Sequence, residues 1–142
     1  MTFTERYTGI GLVIGIVTFV TYWAVVIYRA VTDELALVDV AWQGPMLWSL
    51  IIGGALYALV YLALWLRVRR EPHIDARDHE IERYAETLGG GITGLAVLAT
   101  LIMLTLDAPT FWTANVLFVG AFLGSLASGG ATLAAYREGM PA

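Results

Sequence analysis

The sequence predicts an all-α integral membrane protein, a four-helix bundle in one domain spanning residues 1–142, with a cytoplasmic amphipathic helix leading into the third span. Three observations predict it. The chain is one domain's worth in length, 142 residues, yet 58% of it is hydrophobic. Its mean hydropathy of +0.72 is too high for a domain with a solvated surface. Four apolar runs, at about 7–28, 45–66, 88–106 and 111–136, contain no Asp, Glu, Lys, Arg or His. The charge gathers instead between the second and third runs, where Arg67 to Leu88 holds five of the eight basic residues, six of the twelve acidic ones and both histidines.

The first run, Tyr7 to Tyr28, has 22 residues, enough for one span because the hydrocarbon core takes roughly 20 helical residues. It is longer than a secretory signal core and lacks a small-x-small cleavage pattern before the next polar stretch, so it reads as a retained span. The connector Arg29 to Gln43 carries Asp33, Glu34 and Asp39. Thr32 is placed to cap a short helix in it, with Leu35, Val38 and Trp42 on one face. Pro45 suits the first turn of the second span, where its missing N–H costs little. That span stops at Arg67, Arg69 and Arg70. Pro72 breaks the helix, and Asp75 as N-cap with Asp78 three residues on then starts an amphipathic helix with Ile74, Ile81, Tyr84 and Leu88 near one stripe and Arg77 in register. It runs directly into the third span. Asp107 to Thr110 make a tight turn, with Thr110 capping the fourth span, and the tail from Arg137 is too short to be a domain.

Arginine counting sets the orientation. Four spans put Arg6, Arg67, Arg69, Arg70, Arg77, Arg83 and Arg137 on one side and Arg29 alone on the other, which places both termini and the central loop in the cytoplasm of an inner membrane. Close helix packing is signalled by the G-x-x-x-G pairs Gly11 and Gly15, Gly90 and Gly94, and Gly120 and Gly124, by Ser49 with Gly53, and by the continuation of the last pair through Ser128 and Thr132.

Three segments carry a resemblance: WQGP before the second span, DARDHEI before the third and APTFWTAN into the fourth. Together they resemble a family of small four-span bacterial and archaeal membrane proteins of unknown function. Members read Asp-Glu-Arg-Asp and then an aliphatic residue in the central segment; Asp75, Arg77, Asp78 and Ile81 match, whereas Ala76 departs. The resemblance covers most of the chain and implies topology, not a reaction.

Several functions are disfavoured by what the residues lack. Without Cys, disulfides, thiolate catalysis and Cys-ligated metal centres are excluded, as is a reductase needing a Cys pair. A net charge of −4 argues against nucleic acid. The uncharged spans argue against a proton relay, an ion path and an intramembrane catalyst. The first span has no central Glu of the kind small multidrug carriers use, and His73 and His79 lie outside the spans, away from any axial haem position.

Two constellations remain. His73, Asp75, Asp78, His79 and Glu82 include a set spaced i, i+3, i+4 and i+7 that can turn carboxylates and an imidazole towards a divalent metal; the same residues also suit an ordinary acidic first turn. Trp42, Gln43, Trp48, Trp112 and Asn115, with Asp39 nearby, can form a mouth for a lipid, a quinone or an apolar peptide, or simply an aromatic belt. The expectation is therefore a non-catalytic binding, accessory or regulatory membrane protein without a cofactor. Its partners would be membrane lipid, a further copy in a homo-oligomer or a cytoplasmic protein. The alternative is a small oligomeric transporter or channel.

Overall fold

The computed structural model describes residues 3–67 and 76–139, and all of its long elements are helices. They are α1 (Phe3–Thr32), α2 (Gln43–Arg67), α3 (Ala76–Thr105) and α4 (Thr110–Glu138), with a 3₁₀ turn, Leu37–Asp39, between the first two. Each of the four is long and apolar enough to cross a membrane, so the chain has the build of a multi-pass membrane protein. The helices outrun the expected spans. Their backbone N–H and C=O groups are satisfied internally, so nothing forces a helix to stop where the charge begins. Accordingly the polar turns around Asp78 and the apolar stretch after Leu88 form one unbroken helix, α3.

The bundle is open. The helices stand in the row α2, α1, α4, α3: α1 packs on α2 and α4, α4 packs on α1 and α3, and among the described residues α2 touches no other long helix than α1. No residue of α2 is buried.

The seam between α3 and α4 is set by small residues. A Cβ on Gly89 would sit 2.6 Å from the Gly124 carbonyl oxygen and 2.7 Å from the Ser128 Cβ; one on Gly120 would strike Ala96, and one on Gly124 would strike Thr93. Thr93 and Thr100 donate their hydroxyls to the carbonyls of Gly89 and Ala96, so both of these hydroxyl hydrogens are paired within α3. Gly120, Gly124 and Ser128 thus face α3, whereas a Cβ at Gly90 or Gly94 would meet open space. The register is one residue off because α3 buries Ile81, Ala85, Gly89, Ala96 and Thr100 and half-buries Thr93, a row that steps by three or four and leaves Gly90 and Gly94 on the other side. Gly11 lies under the Tyr57 ring of α2, Gly15 approaches Phe122 of α4 at ordinary contact distance, and Gly129 packs on Leu12 of α1.

The connector between α1 and α2 departs from expectation. Thr32 belongs to α1, which closes at Glu34 with φ 53° and a Leu35 N–H to Ala30 carbonyl bond of 3.0 Å. That closure ends the helix before Leu35 and Val38 can share a helical face with Trp42; both are exposed, and Val40 and Trp42 are buried instead. α3 ends in the same way at Asp107, φ 52°, with the Ala108 N–H donating to Met103 at 3.0 Å. Pro109 follows as the N-cap of α4 with no side-chain bond, so Thr110 is the first helical residue and not the cap. Both left-handed positions favour glycine, and both here carry an acid at the negative end of a helix dipole. Glu34→Gly and Asp107→Gly should each therefore stabilise the protein by about 0.5–1 kcal/mol, read as a higher unfolding midpoint in detergent.

Candidate functional site

The core lies at the connector end, where α1, the connector and α4 meet in Tyr22, Val26, Val40, Trp42 and Phe111, with Met46 of α2 packed against it. Rings continue from it along the α1 and α4 contact. Phe19 stacks on Phe122 with centroids 3.9 Å apart, Tyr22 meets Phe118 edge-on at 5.0 Å, and Trp42 meets Phe111 edge-on at 5.9 Å. Within this core the Tyr22 hydroxyl donates to Asn115 Oδ1 at 2.7 Å, and Asn115 Nδ2 donates to the Phe111 carbonyl at 2.8 Å. Both ends of the amide are thereby engaged. Asn115, 3% exposed, locks α4 to α1 and does not face a ligand mouth.

The other members of the expected mouth scatter. Trp42 is buried against Phe111, Gln43 is exposed, and Trp112 projects from α4. Trp48 alone of the five lines one of the two grooves described below. The shared location at helix ends is what sequence could show; which way each ring turns depends on the connector's fold.

Of the charged constellation, Asp78, His79 and Glu82 lie on the first turns of α3. His73 and Asp75 lie outside the described residues. The Tyr136 hydroxyl donates to Asp78 Oδ1 at 2.6 Å, tying the start of α3 to the end of α4. His79 Nδ1 stands 3.8 Å from Glu82, and both side chains are about two-thirds exposed. Among the described residues no three His, Asp or Glu side chains come together as metal ligands. Arg77 is exposed.

What the row of helices does create is a groove of about 500 Å³ with α1 as its floor and α2 and α4 as its walls. Gly11, Gly15 and Thr18 form part of the floor, Ser49, Gly53 and Tyr57 one wall, and Phe122, Ser125 and Gly129 the other. Among the described residues, no Asp, Glu, Lys, Arg or His lines it. Its hydroxyls are largely turned back on their own helices: Thr18 donates to the Ile14 and Gly15 carbonyls, Ser49 to Met46, Ser125 to Phe122 and Thr132 to Ser128. The surface is therefore less polar than its composition, offering close van der Waals contact and oxygen lone pairs. A second groove, between α1 and α2, runs past Trp48 to Arg29.

Sequence reasoning overlooked Gly89 and Gly129. Stepping by fours from Ile81 through Ala85 would have reached Gly89; Gly129 gives no such signal, because Gly129 and Gly130 are adjacent and only one faces a neighbour. Compared with known proteins, the chain matches no family model, no curated protein and no solved structure.

Proposed function

We infer that this is a multi-pass protein of the cytoplasmic membrane, with both termini in the cytoplasm, that works without catalysis as a binding or accessory component. The single observation that carries this reading is the groove over α1, which opens sideways because among the described residues α2 leans on no other long helix than α1. A surface of glycines and inward-bonded hydroxyls is suited to the close approach of another helix in lipid, where burial from water cannot drive association. The occupant that fits is a transmembrane helix, from a second copy of this chain or from another subunit.

The absence of cysteine gives a clean test. Single cysteines at Gly54 and Ser125, both exposed and both lining the groove, should yield a defined cross-linked product in native membranes, whose mass tells a dimer from a foreign subunit. Leu98→Cys on the exposed face of α3 should not. Equal yields at all three positions, or none, would defeat the proposal. On the same background, Asp107→Cys should react with an impermeant thiol reagent in intact cells and Glu138→Cys only after permeabilisation. The hydroxyl content of the groove favours a second reading, an oligomeric transporter. Gradient-driven flux in liposomes would support it, and the absence of flux would defeat it.

A further inference from the structure

The groove between α1 and α2 has the dimensions and polarity of one phospholipid leaflet. Its α1 wall runs from Val17 to Arg29 and its α2 wall from Gly44 to Leu56, twelve residues apart in each case, or about 18 Å at 1.5 Å per residue. Half of a hydrocarbon core is about 15 Å deep. The volume is about 560 Å³, and the single charged side chain on the lining is Arg29, at the mouth. The lining hydroxyls are engaged elsewhere: Thr21 donates to the Val17 carbonyl, Tyr22 to Asn115 and Ser49 to Met46. What remains is an apolar channel with a cation at headgroup level.

Arg29 is built into that mouth. Its Nη1 donates to the Ala41 carbonyl at 2.9 Å, which ties the end of α1 to the start of α2 and uses one of five N–H donors. Asp33, Glu34 and Asp39 share the connector, yet among the described residues no carboxylate pairs with Arg29. Beside it Gly44 leaves open space, and Trp48, 62% exposed, lines the same mouth. Every other Arg belongs to the opposite ends of the helices or to residues outside the description. A guanidinium with unfilled donors above an apolar channel complements a phosphodiester joined to an acyl chain.

The geometry points to a glycerophospholipid site: the phosphate rests on the Arg29 guanidinium and one acyl chain lies along the α1 and α2 groove down to Val17 and Leu56. The site meets the groove over α1 that faces α4 at Thr18 and Ser49 but has its own charged mouth at Arg29, so it stands or falls separately from the partner proposed there.

Native mass spectrometry of the full chain tests it, with dioleoylphosphatidylglycerol and dioleoylglycerol as probes. The unaltered protein should retain one phosphatidylglycerol and little dioleoylglycerol, which has the same chains and no phosphate. Arg29→Gln should lower phosphatidylglycerol retention about tenfold, the loss of a charge-assisted hydrogen bond. Arg29→Lys should keep most of it, and Val25→Trp, which fills the groove, should abolish it with the charge intact. Equal retention of the two probes by the unaltered protein would mean annular contact only and overturn the site, whatever the stability of the variants. Thiol cross-linking of Thr21→Cys into a dimer would overturn it as well, since a second copy would then occupy the groove.

Discussion

Gly124→Leu should severely destabilise the α3 and α4 pair, whereas Gly90→Leu, one face away, should leave its stability nearly unchanged. The Gly124 Cα lies against the Thr93 side chain and the Gly89 carbonyl, and backbone atoms cannot retreat without moving a helix. Overpacking of this kind commonly costs about 1–3 kcal/mol. With the opposing groups partly main chain we expect the upper end, about 3 kcal/mol, measured by equilibrium unfolding in mixed detergent. Even Gly89→Ala should cost about 1–3 kcal/mol, because its new methyl would meet the Gly124 carbonyl oxygen at 2.6 Å. At Gly90 a side chain enters open space, and the change should stay within about 1 kcal/mol. Similar losses at Gly90 and Gly124 would mean that the helices cross on another face.

Asn115→Ala carries the second large effect. It deletes the acceptor of the buried Tyr22 hydroxyl and leaves a space in the aromatic core, so we expect a loss of about 2–3 kcal/mol. Tyr22→Phe should cost about 1 kcal/mol, since it leaves the Asn115 oxygen without its donor. In the double variant Tyr22→Phe with Asn115→Leu, both polar partners are replaced by apolar groups, and its stability should exceed that of Asn115→Ala. A neutral Asn115→Ala would show that this bond does not hold α4 to α1.

These two effects mark what the sequence could and could not convey. Four spans were legible because lipid imposes a length and an apolar composition that any reader can count. Helix order was not. A helix in lipid is apolar on all faces, so α2 at the edge of the row looks much like α1 at its centre. For the same reason the glycine run 89–91 offers three registers, and only the neighbouring row of Ile81 and Ala85 chooses among them. Asn115 drew attention, with Gln43, as an amide at a helix end near aromatic rings, but an amide that finds Tyr22 and the Phe111 carbonyl is satisfied within the protein. The connector misled because the left-handed closure at Glu34 has no sequence mark when the residue is not glycine.

The core joins the first span to the last, and this imposes an order on synthesis. Val26 leaves the ribosome 85 residues before Phe111, the partner in its cluster, a delay on the order of 4–17 s at roughly 5–20 residues per second. Through that interval the Phe19 and Tyr22 face of α1 lacks its α4 partners Phe118 and Phe122, while the connector and α2 emerge and pack on α1 first. Assembly is completed by the arrival of α4, so a ribosome stalled within α3 would leave an inserted hairpin of α1 and α2 with its aromatic seam bare, a state recognisable to membrane quality control.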